Sequence, residues 1–326
     1  MSGTVAPELA SAYEHCRRIH AAHGRTYYLA TRLLPRDRRP DVWALYAFAR
    51  VADDLVDAPR NSDSNSPNPD PYPYPETLLA WREQAVTAVR SVFPPDPVDQ
   101  PVLAATWHTM RTFGLEPDLL QEFLDSMVMD LTVSRYATWE DLRGYMRGSA
   151  AVIGELMAPL LGARGPEALG RAAMLGEAFQ LTNFIRDIGE DHDRGRIYLP
   201  QADLARFGVT EALLAQAVRT GVPSPRVRSL VAFEVRRAVN LYAAAKPGLR
   251  MVDARSQPCL EVAFTLYRRI LHRVIANDFN VFERRLVVPP WQRVVTAGRV
   301  AARTAGVILL DEVASSCRPT PRRRSS

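Results

Sequence analysis

The stretch Phe179–Pro200, FQLTNFIRDIGEDHDRGRIYLP, places Asn183, Asp187 and Asp191 four residues apart. At 3.6 residues per turn this spacing stacks three oxygen-bearing side chains along one helical stripe, with Gln180 and Arg186 on nearby faces. A second acidic stretch lies upstream at Ala44–Asp57, ALYAFARVADDLVD, where Leu45, Phe48, Ala52, Leu55 and Val56 repeat at helical spacing. Asp53 and Asp57 then share a face, about 6 Å apart along the axis, with Asp54 beside them. Like charges so placed are mildly destabilising unless a cation sits between them. The helix dipole also disfavours carboxylates this late in a helix. One such stripe could be a solvated face, but two in one helical chain are harder to explain that way. Carboxylate and amide oxygens without His or Cys suit a hard ion such as Mg²⁺, which completes its shell with water and phosphate oxygens. The two clusters therefore predict a diphosphate substrate held between two helices by bridging metal ions.

Working outward, the same helical period recurs with start and stop signals. Pro7 and Glu8 open a helix that stops near Gly24. Asp41 is placed to cap a helix from Val42 to Asp57. Pro101 opens a segment ending at Gly114, and Pro117 the next, through Leu131. Thr138 to Asp141 has the pattern of a capping box. Further helices are expected from about Ala150, Pro166, Thr210, Ser224, Pro258 and Trp291. Strand-like alternation is almost absent, so the fold class is all-α, about a dozen helices in a single large domain spanning 1–316. The run NSDSNSPNPDPYPYP at 61–75 can form neither helix nor core and reads as an external loop. Residues 317–326, CRPTPRRRSS, read as a disordered basic tail.

Composition narrows the function. Of 41 basic residues only Lys246 is lysine, and Pro247 follows it, so there is no Walker A lysine. No G-x-G-x-x-G follows a strand-like run, which argues against a dinucleotide fold. Four of the net five positive charges fall on the tail, at Arg318, Arg322, Arg323 and Arg324. The body is thus too balanced for a nucleic-acid footprint. Three scattered cysteines exclude a disulfide scaffold or a Cys-rich metal site. With no apolar run of membrane-span length and no leader-like start, a cytoplasmic location is expected.

These stretches, with HGRTYYLATRLLP (His23–Pro35), YMRGSAAVIG (Tyr145–Gly154) and AFTLYRRIL (Ala263–Leu271), occur in an order that resembles the phytoene and squalene synthases. That family of head-to-head prenyl synthases has the all-α isoprenoid synthase fold, built around a central cavity. The resemblance covers nearly the whole chain, and its wording is most similar to the bacterial phytoene branch.

The resemblance implies that Asp53 and Asp57 in the first motif, and Asn183, Asp187 and Asp191 in the second, bind the metal ions. Mg²⁺ is expected, with Mn²⁺ as a substitute. It implies that His23, Gly24, Arg25, Thr26, Tyr46, Arg50, Gln180, Arg186, Tyr267 and Arg284 contact diphosphate, and that Tyr145 is a cavity tyrosine. Relatives often carry Ser-Lys where this chain has Gly24-Arg25; the hydroxyl is missing, while Arg25 keeps the charge. Tyr46 and Tyr267 would serve equally as core aromatics, and Arg50 and Arg186 as partners of neighbouring aspartates.

The implied reaction joins two molecules of geranylgeranyl diphosphate through prephytoene diphosphate to 15-cis-phytoene, releasing two pyrophosphates, without NADPH. Squalene or dehydrosqualene synthesis from two farnesyl diphosphates is the nearest alternative. A non-catalytic helper that kept the fold is a distant one. Oily substrates suggest transient contact with a membrane surface.

Overall fold

Proline at the first or second helical position, where its missing N–H costs nothing, starts helix after helix in this chain. The computed structural model describes residues 6–57 and 74–316, the side chains of 57, 74–75 and 304–316 excepted. The first helices are α1 (Pro7–His23), α2 (Arg25–Thr31), α3 (Arg39–Asp57), α4 (Tyr74–Arg90) and α5 (Pro101–Phe113). There follow α6 (Pro117–Met129), α7 (Trp139–Met146), α8 (Val152–Leu160), α9 (Pro166–Arg186) and α10 (Ile188–Asp193). The chain continues with α11 (Gln201–Arg206), α12 (Glu211–Thr220), α13 (Pro225–Ala245), α14 (Gln257–Ala276) and α15 (Pro290–Ser316). Among the described residues there is no strand, only an isolated bridge between Arg135 and Ile197. The all-α expectation holds.

The expected boundaries mostly hold too. Gly114 ends α5 in the left-handed region at φ 60°, and Thr138 and Asp141 close a reciprocal capping box at α7. Three details differ. First, α3 begins at Arg39, and Asp41 does not cap it. Its buried carboxylate accepts hydrogen bonds from the Tyr13 hydroxyl (3.3 Å) and the Thr109 hydroxyl (3.1 Å), tying α3 to α1 and α5. Second, α4 already starts at Tyr74, within the expected 61–75 loop; 61–73 and the tail 317–326 lie outside the described residues. Third, the acidic stripe is not one straight helix. The backbone leaves helical geometry at Asp187 (φ −102°, ψ 15°), so Asp191 sits on the separate short α10.

The core forms where long apolar helices meet. Central α9 packs chiefly against α13 and α8, and α1 against α3 and α5. Leu181 and Ile185 of α9, Leu156 of α8, Phe48 of α3 and Tyr242 of α13 are almost wholly excluded from solvent. Gly176 lets α9 approach the turn before α8: a Cβ there would sit 2.3 Å from the Ala150 carbonyl oxygen. That turn, Arg147–Ala151, is wound wider than an α-helix, with the Val152 N–H bonding back five residues to Arg147. Such turns recur at functional sites, and this one brings Ser149 and Ala150 to the wall of the internal cavity described next.

Candidate active site

A cavity of about 890 Å³ runs into the helical core and is lined from both acidic motifs, the α1–α2 junction and α14. The volume is near the top of the range of about 300–1,000 Å³ usual for small-molecule pockets. Fourteen of the residues expected from sequence line it together: His23, Gly24, Arg25, Thr26, Tyr46, Arg50, Asp53, Tyr145, Gln180, Asn183, Arg186, Asp187, Asp191 and Tyr267. The Asp57 side chain lies outside the described residues.

Arg284 lies apart from these residues. It is exposed and absent from the cavity lining, whereas its neighbour Arg285 lines the cavity. Arg285 donates through Nε (3.1 Å) and Nη2 (3.0 Å) to the two Asp187 oxygens. The segment there is not helical, so successive side chains point to different sides and a slip of one residue exchanges cavity for solvent.

The polar part of the cavity is a set of carboxylates neutralised by guanidinium groups. Asp187, largely buried, is also held by Arg186 from Nε at 2.7 Å. Asp53 accepts from Arg50 at 3.1 Å, and Asp54 pairs with the same guanidinium. Asp191 is different: burial, reinforced by the nearby Asp187 charge, pushes its carboxyl up to about 8. Several buried polar atoms on the cavity wall have no hydrogen-bond partner in the structure: Asn183 Oδ1, Ser149 Oγ, Arg50 Nε and both ring nitrogens of His20. Unpaired buried polar groups are costly, and ligand contacts are the usual compensation at a site.

Sequence reasoning missed His20 and Asp130. His20 is fully buried and stacks on Tyr46, ring centroids 4.0 Å apart and planes within 16°. Its burial lowers the imidazole to about 3, so the ring is neutral. A Cβ on Gly24 would lie 2.5 Å from His20 Cδ2 and 2.7 Å from Tyr46 Cζ, so the stack occupies the space a serine side chain would need. Asp130, 7% exposed, accepts from the hydroxyls of Tyr145 (2.7 Å) and Tyr198 (3.1 Å), fixing two aromatic rings of the cavity wall. The Tyr198 ring stacks in turn on Phe184 at 4.1 Å. Met129-Asp130 ends a helix with no acidic spacing to signal it, which is why periodicity alone did not single it out.

The donor set suits an open, oxygen-rich cation site and not a closed one. Among the described residues no three His, Cys, Asp or Glu side chains cluster as a closed metal cage. The donors are nonetheless hard oxygens, and Asn183 Oδ1 is orphaned beside carboxylates, as a site that shares its metal with water and phosphate oxygens requires. The residues fit such an ion. Much of the remaining wall is apolar and aromatic, including Phe179, Phe123, Met157 and Leu161.

Comparison with known proteins agrees with this geometry. The family model for squalene/phytoene synthase matches residues 20–292. The chain is 36% identical over 290 residues to a 15-cis-phytoene synthase of Synechocystis sp., covering 85% of this chain and 81% of that protein. It is 33% identical over 297 residues to the 15-cis-phytoene synthase of Synechococcus elongatus, covering 87% and 91%. Among solved structures it superposes on a ligand-bound dehydrosqualene synthase with a TM-score of 0.79, at 27% identity, covering 92% of this chain and 98% of that one. A squalene synthase of Alicyclobacillus acidocaldarius gives a TM-score of 0.70 at 28% identity, covering 85% and 97%. The helices thus adopt the isoprenoid synthase fold. With motifs, cavity and fold in agreement over most of its length, the chain belongs to the squalene/phytoene synthase family.

Proposed function

We propose that this protein is a prenyltransferase that condenses two molecules of geranylgeranyl diphosphate to 15-cis-phytoene, releasing two pyrophosphates. The observation that carries the reaction class is the single cavity that joins both acidic motifs and their arginines to apolar, aromatic walls. The choice of the twenty-carbon substrate rests on the 33–36% identity to 15-cis-phytoene synthases over most of the chain.

In this reading Asp53 and Asp57 from α3, with Asn183, Asp187 and Asp191 from α9 and α10, hold magnesium ions. Bound magnesium supplies Lewis-acid neutralisation of the departing pyrophosphate. Arg25, Arg50, Arg186 and Arg285 take the diphosphate oxygens, for which a guanidinium fork is suited. His23, Gly24, Thr26, Tyr46, Gln180 and Tyr267 shape that end of the site around the leaving group. The first substrate ionises at C1, and its allylic cation joins the double bond of the second; proton loss gives cyclopropyl prephytoene diphosphate. A second ionisation, rearrangement and proton loss give the triene. The protein's part in these later steps is to keep water out and hold its walls still. Tyr145 and Tyr198, anchored on Asp130, do this without presenting a free nucleophile.

The dehydrosqualene and squalene synthase structures support the same chemistry with a fifteen-carbon substrate, and squalene would require NADPH. Purified protein is incubated with Mg²⁺ and geranylgeranyl or farnesyl diphosphate, with and without NADPH, and the extracted lipid is chromatographed. A forty-carbon product from the longer substrate without NADPH is expected, and EDTA should abolish it. A thirty-carbon product alone moves the assignment to the squalene branch. No condensation and no metal-dependent diphosphate binding would leave a non-catalytic member of the family.

A further inference from the structure

The first half of α15 is apolar on two opposite faces. Thr296, Ala297 and Val300 are buried where the helix packs against α14 and α2. On the other side Trp291, Val294 and Val295 are 64%, 62% and 40% exposed, and Gly298 and Ala302 continue the exposed line. At 100° per residue 291, 294, 295, 298 and 302 fall within one face, about 16 Å long. Val287, just before the helix, is 53% exposed and also lines the cavity, as does Arg285. The apolar strip therefore continues to the cavity wall. Helices apolar on both sides are normally covered on both sides.

The charge around this strip points to what covers it. From Arg284 to Arg303 the sequence holds five arginines and no acidic residue; Arg285 pairs with Asp187 and Arg303 with Glu261, which leaves Arg284, Arg293 and Arg299 without an acidic partner among the described residues. The other prominent exposed apolar group, Val92, Phe93 and Val98 between α4 and α5, lies beside Asp96 and Asp99 instead. A tryptophan and valines set among arginines match the boundary of an anionic bilayer, where indole sits at headgroup depth and guanidinium meets phosphate. Among the described residues no helix is long and apolar enough to cross a membrane, so the contact is with the surface.

We propose that Trp291, Val294 and Val295, with the flanking Arg284 and Arg299, dock this protein on an anionic lipid bilayer beside the cavity. The inference rests on the proposed function in one respect: prenyl diphosphates partition into the bilayer, and a hydrocarbon product has nowhere else to go. Docking there places the edge of the cavity next to the phase that supplies one and receives the other.

The test is flotation of the full-length protein, without substrate, on phosphatidylcholine vesicles with and without about a third phosphatidylglycerol. Binding to the anionic vesicles is expected, weakening as salt rises. The double variant W291D/V294D should bind roughly tenfold more weakly. Its activity on detergent-dispersed substrate should stay within about twofold of the parent, because neither residue lines the cavity. Should that variant misfold, W291F with brominated acyl chains gives the answer: quenching present in the parent should vanish. Absence of binding by the parent, or equal binding by W291D/V294D in a folded state, overturns the proposal. So does a dimer that W291D/V294D converts to a monomer without vesicle binding, which would assign the face to a second copy. A protein that floats through Trp291 but makes no phytoene overturns the function and leaves the docking surface standing.

Discussion

Substituting Gly24 tests whether this chain has rebuilt one end of its site around His20. The glycine is not there for its backbone, since φ is −92° and any residue adopts it. It is there for space: a Cβ would meet His20 Cδ2 at 2.5 Å, Tyr46 Cζ at 2.7 Å and the Tyr46 hydroxyl at 2.9 Å. Ordinary carbon contacts are about 3.5–4.0 Å, so two stacked rings must each give by roughly 1 Å. His20 is 0% exposed, so its ring is hemmed in and can give way only toward the cavity it lines. Overpacking of this kind costs about 1–3 kcal/mol. For a chain of this length that lowers Tm by roughly 2–5 °C. Displacing Tyr46 by an ångström at the diphosphate end should also cut kcat/KM roughly ten- to hundredfold. Gly24→Ala and Gly24→Ser, the latter restoring the residue relatives often carry, should behave alike. His20→Ala makes room, so the double variant H20A/G24A should be about 1–2 kcal/mol less destabilised than the two single variants summed. Thermal unfolding and steady-state kinetics on the four proteins provide the cycle. Parent-like Tm and kcat/KM for Gly24→Ala, or strict additivity in the double variant, would refute the reasoning.

Three further outcomes follow from the same geometry. Arg285→Ala should lower kcat/KM roughly a hundredfold, because it removes a forked donor from Asp187 and, in the proposed reading, from the diphosphate, while Arg284→Ala should stay within about threefold; equal effects would refute the assignment of Arg285. The Asp191 carboxyl, pushed up to about 8 by burial and Asp187, holds a proton at neutral pH that a metal ion bound there, as proposed, would have to displace. Metal affinity should thus rise with pH up to about 8, with proton release measurable by calorimetry in buffers of different ionisation enthalpy, and Asp191→Asn should lose both. Outside the cavity lining, buried Glu234 beside Arg237 is raised from 4.5 to about 7, chiefly by burial. Its folded pKa exceeds the unfolded one, so its contribution is fully present below about 4.5 and lost as pH rises through about 7, up to about 3 kcal/mol. The Tm of the parent relative to Glu234→Gln should therefore fall between pH 5 and 8; a constant difference would show that Glu234 does not titrate there.

What the sequence could reveal was whatever leaves a local mark. Prolines opening helices, Gly114 closing one and the Thr138 capping box act within a turn of their own position, so they were legible and the all-α fold followed. Spacing of four also brought out the two acidic motifs, because a helix turns that spacing into one face. The break at Asp187 left no such mark: the N–H groups of Asp187 and Asp191 still bond back four residues, at 2.8 and 2.9 Å, so the pattern survives while the axis bends. Asp41 read as a cap because a cap is the local role of an aspartate at a helix start. Its actual partners, Tyr13 and Thr109, come from helices 28 and 68 residues away. The same limit hid His20 and Asp130, whose importance lies in rings contributed by Tyr46, Tyr145 and Tyr198. Arg285 failed for the opposite reason: two adjacent arginines in a non-helical segment have no periodicity to rank them.

The near-absence of lysine gains a physical sense once the site is drawn. Arg50 and Arg186 already hold the carboxylates that would receive metal, and Arg285 forks onto Asp187 from a distant part of the chain. Without substrate those guanidinium groups are the counter-ions that keep clustered aspartates from repelling one another. In the proposed reading, a diphosphate arriving with its cations would give the acids new partners and release the arginines to the phosphate oxygens. The exchange is isosteric, since carboxylate and phosphate offer the same pair of oxygens to a planar fork, and a lysine ammonium would have to re-aim as a point charge. Asp53, Asp54 and Asp187 would therefore have a partner in either state. In that reading the arginines offset the helix-dipole and like-charge penalties of Asp53 and Asp187, while Asp191 is raised to about 8 by its burial and the Asp187 charge.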